Sequence, residues 1–271
     1  MWTELMGRLS GDVAAVSAQA GGAAGLCLAV VLLCRWAAIH VERETLVSLL
    51  RGFVQIALVG LILALVLNRE LLVGVVILLA MTVAAAMIAS RRAAGLKNAM
   101  LLSFCAVTAG SGVVIAAMIA IGALTAELSM LVPVGSMVIA SAMNSCSQSA
   151  ERFRADVNAH AGLVEAGLAL GAAPGVAVGP YVQSAVYASL IPRLDSLTSL
   201  GIVWVPGMMA GMIVSGANPI YAGIYQFIVM AMIFAASSIT ALAITLLLRT
   251  RSFSPAEQLI LRRGANAKSE S

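Results

Sequence analysis

Seven long apolar runs, separated by short polar stretches, dominate the chain. A helix needs about 20 apolar residues to cross a bilayer, and these runs lack the polar–apolar alternation that a membrane barrel requires. The pattern therefore predicts an all-α, polytopic transmembrane helical bundle of about seven spans. The runs cover residues 13–34, 52–67, 71–89, 100–122, 128–146, 182–213 and 220–248.

The composition agrees with this pattern. Of the 271 residues, 61% are hydrophobic and only 10% are charged, whereas a soluble domain carries roughly 25% charged residues. The spans leave too little chain for a second folded domain of about 100 residues. We therefore expect a single transmembrane domain over 1–271, with a membrane-spanning region at 13–248, a cytoplasmic tail at 253–271 and no soluble enzyme attached.

Basic residues cluster in alternate connections between the runs. Thirteen of the 16 Lys and Arg residues fall in the first, third and fifth connections or in the tail. Because cytoplasmic loops carry an excess of Lys and Arg, the asymmetry predicts an N-terminus outside and a cytoplasmic C-terminus, in a multi-pass protein of the cell inner (plasma) membrane. These residues are Arg35, Arg43, Arg51, Arg91, Arg92, Lys97, Arg152, Arg154, Arg249, Arg251, Arg262, Arg263 and Lys268.

One further apolar segment, 157–181, is predicted to lie at the cytoplasmic face rather than to form an eighth span. Its five Gly and two Pro suit a straight helix poorly, and an eighth crossing would place the basic tail outside. We call this short, bent helical segment the coupling element. Its candidate residues for contact with a cytoplasmic partner are Glu165, Ala166, Gly167 and Gly171. The alternative is a solvent-facing Glu on a helix of small residues.

The sixth run is too long for one straight span. Its 32 residues would extend about 48 Å as a helix, against a hydrocarbon core of about 30 Å. Pro192 and the pair Pro206–Gly207 interrupt it. We expect its first part near the cytoplasmic surface and a break or kink near Pro206 inside the membrane. A short helix is also expected in the tail, from Pro255 to Arg263.

Polar and helix-breaking residues inside the apolar runs are the candidates for a substrate pathway or a gate. Ionisable groups in a membrane usually face a cavity or a partner, and broken helices often mark transport sites. The alternatives are an interfacial charge at Asp195, an anchor at Arg51 with a helix–helix hydrogen bond at Gln55, and helix packing at Gly207 and Gly211. The full set is Arg51, Gln55, Asn144, Asp195, Pro206, Gly207, Met208 and Gly211.

Motifs for covalent catalysis or nucleotide binding are missing from the sequence. It contains no G-x-x-x-x-G-K-[ST], G-x-S-x-G or H-E-x-x-H pattern, so we expect neither enzymatic activity nor ATP bound by a P-loop. The four cysteines form no C-x-x-C pair, the two histidines lack metal-ligand spacing, and no metal site is assigned. The dispersed basic residues argue against a nucleic-acid partner.

Several motifs resemble those of known transporter subunits. Glu165–Ala172, EAGLALGA, resembles the EAA loop through which ABC transporter permeases contact their ATPase subunits. More narrowly, stretches between residues 45 and 250 resemble the FetB-like permease family, also called the UPF0014 or YbbM-like family. The stretches are Arg51-Gly52-Phe53 with Gln55, Leu58 and Gly60; Pro133 with Gly135; Ala142-Met143-Asn144; Glu151-Arg152-Phe153; Leu190-Ile191-Pro192 with Leu194-Asp195-Ser196; Gly201-Ile202-Val203 with Val205-Pro206-Gly207-Met208-Met209 and Gly211; Ala217-Asn218-Pro219; and Tyr225-Gln226 with Val229-Met230.

The resemblance implies a membrane (permease) subunit that pairs with a separate cytoplasmic ATPase, with two copies of each chain. ATP and Mg would then bind to the partner subunit, and this chain would hold no cofactor. Bacterial members are connected with iron export and oxidative-stress tolerance, and plant relatives with aluminium tolerance and nucleotide-sugar export. We therefore expect an exporter of iron or another metal. The alternatives are a stand-alone secondary transporter or channel, and a membrane scaffold or sensor without transport.

Overall fold

The computed structural model describes residues 21–36, 42–66, 71–92, 98–125, 127–254 and 256–260. Over these ranges the chain is almost entirely helical, with two isolated β-bridges and no β-strand. The predicted all-α class is confirmed. The helices are α1 (Gly21–Trp36), α2 (Glu42–Val66), α3 (Leu71–Arg92), α4 (Ala99–Ala120), α5 (Leu128–Ala159), α6 (Ala161–Ala169), α7 (Pro174–Ala177), α8 (Gly179–Ser199), α9 (Gly207–Val214) and α10 (Pro219–Arg251).

The chain divides into two compact units, Met1–Asn68 and Arg69–Ser271. The described part of the first unit consists of α1 and α2. In the second unit, α10 lies at the centre and packs against α4, α5, α8 and α9, while α3 packs against α4 and α5. The single transmembrane domain expected over 1–271 stays a prediction.

Four helices are long and apolar enough to cross a membrane, judged by length and composition. They are Leu72–Arg92, Ala99–Ala120, Met130–Ala159 and Pro219–Arg251, and all four belong to the second unit. Gly21–Trp36 and Thr45–Gly60 are shorter apolar helices. The total of seven spans and the orientation of the termini stay predictions.

The core of the second unit is closely packed where α4 meets α10. A Cβ on Gly110 would overlap the side chain of Thr240 and would lie 2.6 Å from the carbonyl oxygen of Ala236. Only glycine therefore allows this approach of the two helices. Around the contact, Met232, Ile244 and other apolar side chains of α10 are almost fully buried.

Helix α5 continues well beyond its apolar run. The run ends at residue 146, but α5 extends to Ala159 and has 32 residues, about 48 Å. The prediction that Arg152 and Arg154 lie in a loop was therefore wrong. No Gly or Pro stands between Ser136 and His160 to end the helix, and Phe153 is fully buried against the core.

The sixth apolar run forms two helices instead of one span. Helix α8 contains Pro192 and ends at Ser199, and α9 begins at Gly207 after Pro206. The predicted break near Pro206 is confirmed, whereas the predicted interruption at Pro192 is wrong, because α8 continues through this residue. Pro206 lacks an N–H and disfavours helical geometry at the residue before it, which explains the position of the break. With eight residues, α9 is only about 12 Å long.

The predicted tail helix from Pro255 to Arg263 is wrong in its described part, 256–260. There the chain reverses, with a bridge between Phe253 and Leu259. The Ser254 hydroxyl accepts hydrogen bonds from the N–H groups of Ala256 and Gln258, at 3.2 and 3.1 Å. This local side-chain bonding competes with helix formation.

Candidate coupling site

The ends of α3 and α5 meet through charged groups. The Arg92 guanidinium lies 3.5 Å from the Glu151 carboxylate, and Arg154 donates a hydrogen bond of 2.9 Å to the backbone carbonyl of Arg92. That carbonyl belongs to the last turn of α3, where helical partners are missing. Arg154 therefore caps α3 from the neighbouring helix, in the orientation that the helix dipole favours.

Asp156 connects α5 to the beginning of α8. Its carboxylate accepts hydrogen bonds from Arg152 Nε at 3.1 Å and from the Ser184 hydroxyl at 3.0 Å. The Asp156 side chain is only 15% exposed, whereas that of Arg152 is 55% exposed. The carboxylate is thus held by one charged donor and one neutral donor, both with good geometry.

A second contact, between the residue that follows α5 and the beginning of α8, lies at the base of the coupling element. The rings of His160 and Tyr181 stack with centroids 5.2 Å apart and an interplanar angle of 19°. His160 Nδ1 lies 2.8 Å from the backbone carbonyl oxygen of Asp156. Residues 160 and 181 flank the two short helices, so this stack closes the loop that they form.

The coupling element, residues 157–181, contains α6, a turn and α7 between the end of α5 and the beginning of α8. Glu165 and Ala166 are exposed on α6, while Gly167 is half-buried. Gly171 has a φ of 88°, and the N–H groups of Gly171 and Ala172 bond to the carbonyls of Leu168 and Gly167, both at 3.0 Å. This is a Schellman ending, which requires a left-handed residue at the position of Gly171.

A side chain from the last turn of α10 reaches α7. The guanidinium of Arg249 occupies the space that a Cβ on Gly175 would need. The missing side chain of Gly175 therefore makes room for a charged group from α10. Together with the contacts of Asp156 and Arg154, this brings the basic residues of α3, α5 and α10 to the end of the second unit that carries the coupling element.

The predicted pathway residues lie on α2 in the first unit and on α5, α8 and the beginning of α9 in the second unit. Arg51 and Gln55 are exposed, one turn apart on α2 in the first unit. Asn144 on α5 and Asp195 on α8 are exposed, and neither side chain has a hydrogen bond or ion pair within the described residues. Whether these residues line a pathway stays a prediction.

Residues around the break between α8 and α9 have different environments. Pro206 is buried, and Met208 is half-buried against the core. Gly207 and Gly211 are exposed, with no atom within 4 Å of the position that a Cβ would take. In the part of the chain that the structure describes, no group of three or more His, Cys, Asp or Glu side chains could hold a metal ion.

The sequence of the chain matches that of a known protein family. The model of the uncharacterised protein family UPF0014 matches residues 17–253. The chain belongs to this family. No solved structure matches the chain.

Relatives in UPF0014 are named as membrane proteins. The chain is 26% identical to the UPF0014 membrane protein slr1647 of Synechocystis over 90% of this chain and 96% of the relative. It is 29% identical to the UPF0014 membrane protein STAR2 of Oryza sativa, covering 80% and 77% of the two chains. It is 26% identical to the probable iron export permease protein FetB of Escherichia coli, covering 87% and 92%. Together with the long apolar helices, these relatives identify a multi-pass membrane protein.

Sequence reasoning missed the residues that build the base of the coupling element in this UPF0014 protein. The sequence patterns assign no role to Asp156, His160, Tyr181 and Ser184. Asp156 lies in residues 147–158, which have the composition of a polar loop, and the other three residues belong to no motif. One signal was available. Arg152 and Asp156 stand four residues apart, as in a helical ion pair, and Phe153 and Val157 continue the apolar periodicity.

Proposed function

We propose that this chain is the membrane-embedded permease subunit of an ABC transporter and that a separate ATPase subunit drives it. The observation that carries the proposal is the coupling element, a loop of two short helices that exposes Glu165 and is closed at its base by the stack of His160 on Tyr181. Such a projecting, small-residue helix suits insertion into a groove on a cytoplasmic partner. The chain itself would be non-catalytic, with ATP and Mg bound by the partner.

The distribution of charge supports a cytoplasmic position for the coupling element. Arg92, Arg154 and Arg249 all contact residues at the end of the second unit where this element lies. By the positive-inside rule that end faces the cytoplasm. With α8 and α9 counted as one interrupted crossing, seven spans then place the N-terminus outside, in the cell inner (plasma) membrane.

We infer that the transporter is an exporter that contains two copies of the permease and two of the ATPase. The name of the E. coli relative, a probable iron export permease, makes iron the first substrate to test. The described residues offer no cluster of carboxylate, imidazole or thiolate ligands for a bare ion. A chelated metal or an organic solute therefore stands beside iron as a candidate substrate.

Co-purification with the partner ATPase tests the proposal. Glu165→Ala and Gly171→Ala should reduce the amount of ATPase recovered with the purified permease, because both residues belong to the proposed contact. Asn158→Ala, an exposed change near the end of α5, is the matched control and should leave recovery unchanged. Recovery equal to that of the unmodified chain for both test variants would contradict the coupling role.

Stimulated ATP hydrolysis tests the substrate. The reconstituted complex should hydrolyse ATP faster when iron or an iron chelate is added. If no iron species stimulates hydrolysis, the iron assignment is removed while the transporter assignment remains.

The alternative function is a stand-alone secondary transporter or channel. The observation in its favour is Asp195, an exposed carboxylate on the helix that precedes the break at Pro206. Flux that depends on a proton or sodium gradient, measured with the purified chain alone in liposomes, would support this alternative over the first proposal.

A further inference from the structure

The two side-chain contacts at the base of the coupling element lie one above the other where the end of α5 meets α8. Asp156 bonds to Ser184, and His160 stacks on Tyr181. Asp156 on α5 and His160, directly after α5, are four residues apart, whereas their partners on α8 are three residues apart in the opposite direction. The helices are therefore antiparallel here, and their two contacts lie one helical turn, about 5 Å, apart. Two contacts at this spacing resist both sliding and hinging of one helix against the other.

Of the four residues in these contacts, Asp156 has the most strongly held side chain. Its side chain is 15% exposed and bonds to Arg152 as well as Ser184. A carboxylate that accepts from a guanidinium and a hydroxyl has little rotational freedom, and charge-assisted bonds are stronger than neutral ones. Movement of the coupling element should therefore pass to α8 at its first turns instead of being lost at a flexible joint.

The far end of α8 offers a place where such a movement can be taken up. About 22 Å beyond Ser184, α8 ends and the chain turns sharply, with a φ of 77° at Gly201. The Ser199 carbonyl accepts from the N–H groups of Ile202, Val203 and Trp204, at 3.2, 3.0 and 3.3 Å. Within the described residues, no hydrogen bond ends on the carbonyls of residues 200–203. The Gly201 N–H also donates to the Trp204 carbonyl, at 3.0 Å, so the turn itself is closed. Over the described part of the chain, however, no hydrogen bond joins residues 201–205 to α9 or to any helix other than α8, so a change of angle between α8 and α9 has no such bond to break.

We propose that Asp156 is a positioning residue that clamps the base of the coupling element to α8, so that α8 moves with this element and the chain bends at residues 200–206. The proposal rests on the proposed function for the source of the movement. The clamp itself, however, is a property of this chain alone and can be tested without a partner. The residues that form it are Asp156, His160, Tyr181 and Ser184.

Distances between spin labels measure the clamp in the isolated chain. Labels at Leu163→Cys on α6 and Thr198→Cys on α8, both exposed positions, are placed in a chain whose four native cysteines are replaced by alanine. Ser184→Ala and Asp156→Asn should broaden the distance distribution. Ser184→Thr keeps the hydroxyl and should restore the narrow distribution, and the neighbouring exposed change Gln183→Ala should have no effect. Distance distributions of equal width in all variants would contradict the proposed clamp.

The second measurement asks whether the clamp transmits movement in the complex with the ATPase. With ATP and vanadate, a label pair across the break, Thr198→Cys and Val214→Cys, should change distance while the pair at 163 and 198 does not. In the Ser184→Ala complex, the distance between labels 198 and 214 should stay constant. The distance between labels 163 and 198 should change instead. A variant that responds as the unmodified complex does would contradict transmission through Asp156. If the unmodified chain binds no ATPase, the proposed function is rejected. The spin-label distances in the isolated chain would still show whether Asp156 clamps the coupling element to α8.

Discussion

The carboxylate of Asp156 lies 3.0 Å from the hydroxyl of Ser184, although 28 residues separate them along the chain. Between them lies the whole of the coupling element. The contact makes the loop a closed structure with a fixed base, and it places the beginning of α8 beside the end of α5.

The Schellman ending of α6 predicts that Gly171→Ala destabilises the protein. At a φ of 88° an alanine Cβ meets the following carbonyl, which costs about 1–2 kcal/mol. The melting temperature of the purified chain should fall accordingly. Gly162→Ala is the control, since it is helical, has no atom within 4 Å of its Cβ position, and should stabilise α6 by about 0.5–1 kcal/mol. Equal effects of the two changes would disprove the role of the left-handed residue.

Gly110→Ala and Gly175→Ala should differ in their effects on stability. At Gly110 the new methyl group meets the backbone carbonyl of Ala236 as well as Thr240, so α4 and α10 must separate, at a cost of about 1–3 kcal/mol. At Gly175 the three atoms nearest to the new methyl group all belong to the guanidinium of Arg249, the flexible end of a long side chain. The free energy of unfolding should fall by less than about 1 kcal/mol there.

Thermal unfolding of the purified chain in detergent separates these two cases. Adding Arg249→Ala to Gly175→Ala should remove the remaining loss, because the obstructing group is gone. A large loss in Gly175→Ala that Arg249→Ala leaves unchanged would show that the guanidinium does not occupy this space.

The capping of α3 by Arg154 predicts a loss of stability in Arg154→Met. The change keeps much of the apolar stem but removes the donor to the Arg92 carbonyl. The expected cost is about 1.5–3 kcal/mol, as for other hydrogen bonds to charged groups. Arg91→Met, at an exposed neighbouring position, should be nearly neutral. If both variants unfold at the same denaturant concentration, the cap contributes nothing.

The turn after α10 predicts an effect on proteolysis of the tail. Ser254→Ala removes the acceptor for two backbone N–H groups and should increase cleavage after residue 253. Glu257 has a φ of 57°, so Glu257→Gly should relieve about 1 kcal/mol of strain and slow cleavage. Rates of limited proteolysis in detergent compare the two variants, and an unchanged rate in Ser254→Ala would exclude the described turn.

The helical class and most of the helix positions could be predicted from the apolar runs. The break near Pro206 was also predictable, because proline acts through its own ring and missing N–H. The end of α5 was not. Residues 147–159 carry Ser, Gln, Glu and Arg, and their helix is stabilised by Phe153 and Val157, which are buried only once the bundle has formed.

The candidate site was predictable only in its exposed part. Glu165 and Gly171 stand out in the sequence as a motif, and Gly171 proves to be the left-handed residue that ends α6. The clamp at the base escaped prediction, since a hydrogen bond between Asp156 and Ser184 depends on the packing of two antiparallel helices. No spacing rule connects positions that meet in this way.

The sequence by itself determined that this is a helical membrane protein, where its apolar helices lie, and that it belongs to the UPF0014 family. These properties follow from local composition, because transfer into lipid depends on each segment's own side chains. Only the tertiary structure decided that Arg92, Arg154 and Arg249 gather at one end and that Asp156 fixes the base of the coupling element. Those contacts join residues far apart in the chain, and they exist only when helix packing has set the distances between them.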